Sequence, residues 1–420
     1  MSVTQLTQTY NASQPITDNK GYNYDLVIVG GGIVGLTLAA ALKNSGLSIL
    51  LIEARVTSAA VAKGQAYAVH MLSARIFQGI GIWDQILPQI AKYRQVFLSD
   101  AEYPDVVKFQ NSDISQQVPE LGYVAEHFAL LEPLQEFVKN CANVTYLCPA
   151  EVISTQNEKD IVTVNIKVAD ESQKITTKLL VAADGSRSKI RETAGIKTKG
   201  WKYWQSCIVA FVKPEKSHNY TAYEKFWPSG PFAILPLPGN RCRIVWTAPH
   251  EEAKALCALS DEEFLAELTK RYGQQMGKLE LLGDRFVFQV QLMQSDRYVL
   301  PRLALVGDAA HNCHPVGGQG LNLGIRDAAA LAEVIQTAHQ NGADIGNIQV
   351  LKKYEQWRKK ENLAILGFTD ILDRVFSNSF LPVVIVRRLG LWMMQRVPML
   401  KIFALKLMIG LKGKTPALGK

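Results

Sequence analysis

The residues of this 420-residue chain best suited to chemistry begin with Gly30-Gly31-Gly32-Ile33-Val34-Gly35, which carries the spacing G-x-G-x-x-G at positions 30, 32 and 35. Glycine at those places permits a tight turn, close approach of backbone to a pyrophosphate and close packing of a helix on a strand, while the helix N-terminus adds partial positive charge. The spacing alone is weak. It gains weight from its setting, because the apolar, β-branched run Tyr24–Val29 precedes it and residues 36–41 read as the opening turns of a helix. A second apolar run, 48–52, then ends in Glu53. A carboxylate there grips ribose hydroxyls and repels a 2′-phosphate, so the pocket suits the adenosine of FAD or NAD rather than NADP. The bland alternative is a glycine-rich structural turn.

Two further clusters sit at the ends of strand-like runs. Residues 179–183 deliver Asp184-Gly185, followed by Ser186-Arg187-Ser188-Lys189-Ile190-Arg191, and residues 303–306 deliver Gly307-Asp308. Ligands bind at the carboxyl ends of strands in open α/β sheets, so these runs are expected to join 24–29 and 48–52 in one nucleotide-binding sheet. The third cluster continues through His311-Asn312-Cys313-His314 to Pro315-Val316-Gly317-Gly318-Gln319-Gly320-Leu321-Asn322. Three ligand types in four residues, with no second cluster, make a poor tetrahedral set, and no metal is expected. His314 reads either as a titrating group or as simple packing.

With these clusters in this order across 30–322, the chain resembles the group A FAD-dependent aromatic hydroxylases, a one-component class related to para-hydroxybenzoate hydroxylase. Gly64-Gln65-Ala66-Tyr67-Ala68, Phe77-Gln78-Gly79-Ile80-Gly81-Ile82-Trp83, Trp227-Pro228-Ser229-Gly230-Pro231-Phe232-Ala233-Ile234-Leu235-Pro236 and the closing Gly410-Leu411 narrow the resemblance to the Ubi-type hydroxylases of ubiquinone biosynthesis. It implies FAD as cofactor and NADH or NADPH as co-substrate. Gly30, Gly32, Ile33, Val34, Gly35, Asp184 and Gly185 would meet the pyrophosphate, with Arg191 bracing that loop or forming a structural ion pair. Glu53, Ala54, Arg55, Gln65 and Val152 are counted with the cofactor-binding residues. Gly307 and Asp308 would take the ribityl chain, and Gly317, Gly318, Gly320, Leu321 and Asn322 would set a helix N-terminus under the flavin pyrimidine. His314, Pro315 and Gly318 are the flavin-face candidates, and Phe232, Leu235 and Trp246 the substrate candidates.

The implied reaction has two halves. Hydride passes from NAD(P)H to flavin N5, O2 adds at C4a, and the distal oxygen of the hydroperoxide is attacked by a ring carbon ortho or para to a hydroxyl. No catalytic base declares itself. Phe128 and Gln65 depart from the arginines many relatives carry, and Phe128 removes a contact to the flavin side chain. The motifs are silent on the ring, so a plastoquinone- or menaquinone-type precursor stays open beside a ubiquinone precursor. A non-oxygenase flavin-fold protein that binds prenyl lipids is the reading from another class, and intact Asp308 and Gly317–Gly320 argue against it.

These sites need elements to hold them. Length and composition, 48% hydrophobic and 20% charged, fit a globular α/β chain: a Rossmann-like FAD-binding domain interleaved with an antiparallel β-sheet substrate domain and a C-terminal helical segment. The expected division is a disordered tail over 1–22, an FAD-binding domain from 23–100, 125–200 and 298–375, a substrate domain from 101–124 and 201–297, and basic amphipathic helices over 376–420. Runs at 206–212, 222–227, 232–237, 243–247 and 286–291 would form the substrate sheet. The net charge of +8 is not spread evenly: residues 374–420 hold nine Lys/Arg and no Asp/Glu, which leaves 37 basic against 38 acidic residues elsewhere. That excludes a nucleic-acid-binding body and points to a tail that meets something anionic.

Six cysteines without CxxC spacing and a polar start without signal-peptide order favour a cytoplasmic setting. The apolar run 375–386 is shorter than the ~20 residues that span a bilayer. Residues 380–411 read as two short helices broken at Pro398, either a cap on the nucleotide domain with exposed cations or an interfacial segment on anionic lipid. The expected partners are a lipophilic aromatic substrate, O2, a membrane surface and a quinone-biosynthesis complex.

Overall fold

The computed structural model describes residues 22–56, 64–101, 106–114 and 118–420. Most of the tail expected over 1–22 lies outside the described residues.

Tyr24–Val29 sits near the middle of an open sheet, parallel to Ile49–Ile52 on one side and to Glu171–Ala182 on the other. Val144–Leu147 extends the sheet beyond Ile49–Ile52, and Leu303–Leu305 extends it beyond Glu171–Ala182, both in parallel. Strands buried on both faces must be apolar on both, which is why these read as continuous Val/Ile/Leu runs. The helix Ile33–Ala41 crosses from Tyr24–Val29 and packs on the 22-residue helix Gln319–Gln340. Gly324 allows that approach, since a Cβ there would lie 2.7 Å from Val34, while Gly35 lets the helix close on its own turn, where a Cβ would lie 1.9 Å from the Gly30 carbonyl oxygen.

Over this sheet lies a second one of eight strands, antiparallel except where Thr221–Trp227 runs parallel to Gln95–Asp100. Its long members are Thr198–Pro214 and Leu279–Ser295, each of 17 residues. Both faces of its middle strands, Gly230–Leu237 and Arg241–Pro249, are covered. The outer face packs under the helices His250–Ala258 and Asp261–Tyr272 through Ile234, Ile244, Phe264 and Leu268. The inner face roofs the nucleotide sheet. Its edge, Gln95–Asp100 with Val106–Gln110, begins ahead of the expected boundary at 101, and Gly122–Glu126 instead joins Ala66–His70 and Ala91–Tyr93 in a small third sheet.

The C-terminal helices, Leu381–Arg396 and Pro398–Met408, break at Pro398 as the sequence predicts. They pack on the edge strand Val106–Gln110 and, through Leu391, Leu405 and Ile409, on the main core. Arg387 is buried in a bidentate pair with Asp100 of the roof, at 2.8 and 3.1 Å, so it is not one of the exposed cations anticipated for a cap. Lys401 reaches Asp113 at 2.8 Å, and the chain then closes against the nucleotide domain, where Leu418 and Gly419 press on Gly79 and Leu72.

Candidate active site

Between sheet and roof lies a cavity of about 770 Å³. That is within the ~300–1,000 Å³ of small-molecule sites. Its floor is built from the three glycine clusters. Gly30 takes φ +111°, and a Cβ there would sit 2.3 Å from the Ala183 carbonyl oxygen, so this residue makes the turn. Gly32, Ile33 and Val34 then reach the cavity. At Gly32, the N-cap of Ile33–Ala41, a Cβ would meet nothing within 4 Å, and no side chain caps the helix, so its first N–H groups open on free space. Gly185 repeats this at the end of Glu171–Ala182, with φ +85° and open space around it.

Gly317 and Gly318, at φ +68° and +60°, turn the chain into Gln319–Gln340, whose N-terminus also lacks a side-chain cap. Gly317, Gly318, Gly320 and Leu321 line the cavity with Pro315 and Asp308. The Asp308 side chain is exposed and lines this cavity, and desolvation by the surrounding protein pushes its pKa up against the lowering effect of His311.

Other expected residues brace the floor from outside the lining. Glu53 accepts from the N–H of Gly31 at 2.7 Å and of Arg55 at 2.8 Å, pinning the turn to the end of Ile49–Ile52; neither it, Ala54 nor Arg55 lines the cavity. Arg191 donates to the carbonyls of Ser186 and Ala309 at 3.1 and 3.0 Å, so it ties the second cluster to the third. Asp184 lies behind Gly185, its Oδ1 buried without a partner and its pKa raised by that burial. Gly307, at φ +58°, packs against Val34. Gln65 lines the cavity and accepts from Tyr67 at 2.6 Å. Phe128 packs half-buried against the core, while its neighbour His127 lines the cavity.

Five further expected residues lie off the cavity lining. Phe232 and Trp246 point into the outer face of the roof, packed with Phe264, because successive side chains on a strand alternate. Pro231, Ala233 and Leu235 face the cavity instead, as do Arg243, Val245 and Thr247. Val152 pairs with Ile166 on Glu151–Asn157 and packs on the core away from the cavity. Asn322 is fully buried with its amide saturated: it donates to Ala68 and Gly318 carbonyls and accepts from His70 N–H and Ser73, so its side chain has no bond left for a ligand. His314 lies behind the lining residues Cys313 and Pro315, edge-on to Tyr203 and 3.5 Å from Asp373, and burial, outweighing the nearby acids, pulls its pKa down to about 3.

Several residues escaped sequence reasoning. Asp327, eight residues into Gln319–Gln340, accepts from His311 at 2.6 Å, Arg358 at 2.8 Å, Asn362 at 3.0 Å and Gly307 N–H at 3.2 Å, and so holds the turn that presents Asp308. Arg243 donates to the Gly64 carbonyl at 2.5 Å and leaves its buried Nε without a partner. The back wall is Leu405, Met408 and Ile409 of the C-terminal segment, tied to the cradle by Gln319, which donates to the Met408 carbonyl at 3.0 Å.

Two uncapped helix N-termini, two open glycine turns and a carboxylate on one cavity wall fit the pyrophosphate, ribityl chain and pyrimidine of FAD. Residues 23–368 match the family described as FAD binding domain. The chain is 50% identical over 408 residues to "Uncharacterized protein slr1300" of Synechocystis sp., covering 96% of each. It is 38% identical over 394 residues to Ubiquinone hydroxylase UbiL of Rhodospirillum rubrum, covering 93% of this chain and 90% of that protein. Among solved structures, p-nitrophenol 4-monooxygenase PnpA of Pseudomonas putida has the same fold, with a TM-score of 0.76 and 21% identity over 91% of this chain and 96% of that one. With the family match spanning most of its length and the cradle in place, this chain belongs to the FAD-dependent aromatic hydroxylases, in the family that includes the ubiquinone hydroxylases.

Proposed function

We propose that the protein hydroxylates the ring of a prenylated phenol or quinone precursor, using O2 and NADH or NADPH. The supporting observation is the course of the cavity, from the glycine cradle under the roof to the apolar back wall at Leu405, Met408 and Ile409. An aromatic head would rest between Gly317–Gly318 and the strands at Ala233, Leu235 and Val245, and an isoprenoid tail would leave along the back wall.

Gly32 and Gly185 would admit the pyrophosphate, Asp308 would accept from the ribityl hydroxyls, and the N-terminus of Gln319–Gln340 would stabilise negative charge on the pyrimidine. Bound FAD, reduced by the nicotinamide, supplies activated oxygen to an electron-rich ring carbon. The protein's own part is to orient the ring and keep water out, which the roof's inward-facing Val209, Ala233, Leu235 and Val245 serve.

The segment carrying the back wall offers the tail a route. Its outer surface exposes Phe380, Leu381, Ile385, Val386, Met399 and Phe403, with Met399 82% exposed. Arg396, Lys406 and Lys412 accompany them in a stretch without acids. No helix among the described residues is long and apolar enough to cross a membrane. Apolar side chains flanked by cations suit the interface of an anionic bilayer, from which a prenylated substrate would enter. The test is the visible spectrum with FAD, then oxidation of NADH and NADPH with and without 2-geranylphenol. Flavin absorbance with phenol-stimulated oxidation is expected; no flavin uptake, or oxidation indifferent to the phenol, refutes the reading.

A further inference from the structure

The roof sends one acid into the cavity. On Thr221–Trp227, Ala222 and Glu224 line it, whereas Tyr223 packs with the outer cluster and the Lys225 ammonium lies over Trp227. Glu224 shares the cavity lining with Gly317 and Gly318 of the turn that opens Gln319–Gln340, and the Gly317 backbone lowers the pKa of its carboxyl. That turn is held from the other side, since the Gly317 carbonyl is 3.1 Å from His70 Nε2. Glu224 therefore stands where roof and cradle meet. Among the described lining residues the only other acid is Asp308, on the floor.

Its surroundings leave the carboxylate to a ligand. Its register partners are Leu98 and Ala233, Tyr93 is the titratable neighbour that couples to it, and Arg243 is drawn off to the Gly64 carbonyl. No ion pair to Glu224 is present among the described residues. Burial pushes its pKa up to about 7, against the lowering effect of Gly317. A carboxyl poised there exchanges protons near neutral pH.

We propose that Glu224 is the general base of the hydroxylation and takes the proton of the substrate's phenolic hydroxyl, an assignment that rests on the prenylated-phenol reading above. The O–H bond of the phenol breaks, an Oε–H bond forms on Glu224, and the electron pair stays on the phenol oxygen, enriching the ortho and para carbons. When the hydroxylated ring regains aromaticity, the acid returns its proton to that oxygen and the hydrogen displaced from the ring carbon leaves as a proton to solvent. Glu224 ends the turnover as a carboxylate. General-base catalysis of this kind contributes ~10²–10⁴-fold.

The experiment uses the full-length, FAD-loaded protein and 4-nitrophenol, whose ionisation is read from its own absorbance without turnover. In the wild type the dye and Glu224 share protons, so phenolate absorbance develops in two steps separated by a plateau. E224Q collapses them to one step near the lower of the two, because the neutral amide no longer opposes the phenolate, and E224D restores two. In parallel, E224Q lowers kcat for 2-geranylphenol by about 10²-fold or more while keeping FAD absorbance. Superimposable dye titrations of wild type and E224Q, or a single step in the wild type, overturn the role of Glu224. A wild type that gives two steps yet never hydroxylates 2-geranylphenol leaves Glu224 as the base and overturns the prenylated-phenol reading alone.

Discussion

Replacing Asp327 by Asn removes one charge from beneath the cradle and turns one of its two accepting oxygens into a donor. Its Oδ2 holds His311 and the Gly307 N–H, and its Oδ1 holds Arg358 and Asn362. Burial pushes the carboxyl pKa up, but the charges and hydrogen bonds of His311 and Arg358 outweigh it and hold it near 2. A folded pKa below the unfolded one, about 3.9, means stability that is present above pH ~4 and lost as pH falls towards 2, on the order of 2–3 kcal/mol. The amide keeps the shape but faces the fully buried Arg358 with no charge. Breaking such a pair costs about 3–5 kcal/mol, and here the lower end applies because Arg358 keeps Glu361 at 2.5 Å. At roughly 2.1 cal/mol/K per residue of unfolding entropy, about 3 kcal/mol lowers Tm by ~3–4 °C. The assay is thermal unfolding of the FAD-loaded protein followed by circular dichroism, with release of flavin fluorescence read in the same scan. D327N is expected to release flavin earlier than it loses helix, because Gly307 presents Asp308. A Tm within about 1 °C of the wild type, with flavin release unchanged, refutes the bracing role.

Other substitutions probe the remaining parts. Gly318 sits at φ +60° with the position of a Cβ 2.8 Å from that of Ala68, so G318A shifts the start of Gln319–Gln340. At ~1–2 kcal/mol for the left-handed backbone, FAD affinity falls about tenfold in a fluorescence titration, and unchanged affinity counts against the cradle. Burial pulls the pKa of His314 to about 3, below its unfolded value, so the unfolded chain takes up this proton first and stability drains as pH falls below ~6.5. H314Q is expected to flatten the acid slope of urea-unfolding stability by up to ~1.4 kcal/mol per pH unit, and identical slopes would falsify its burial as a neutral group. M399D with F403D, both on exposed surface, should abolish co-sedimentation with phosphatidylglycerol vesicles; undiminished binding removes the C-terminal face from the membrane proposal.

The floor of the site was legible because its constraints are local. A strand, a positive-φ glycine and a helix start leave a sequence trace at Gly30, Gly185 and Gly317–Gly318, and the distant strands at 179–183 and 303–306 declared themselves by the Gly/Asp residues at their ends. The roof was legible as strands but not in parity. Both faces of its middle strands are buried, one under helices and one over the cavity, so apolar Phe232 and Trp246 looked as fit for substrate as Leu235. The polar residues carried the better signal: Glu224, Arg243 and Thr247 mark the inner face at alternate positions. Asp327 was missed because its partners, His311 and Arg358, lie 16 and 31 residues away and meet it only in three dimensions, although a lone Arg-Asp pair inside an alanine-rich helix was visible.

The central claim is that this cavity inserts oxygen from O2 into a prenylated phenol. Its most direct test is turnover of 2-geranylphenol by the purified, FAD-loaded protein with NADPH under isotopically labelled dioxygen, with products read by mass spectrometry. The account predicts a hydroxylated phenol carrying one labelled oxygen atom. Label recovered only in hydrogen peroxide or water, with the phenol returned unchanged, would contradict it.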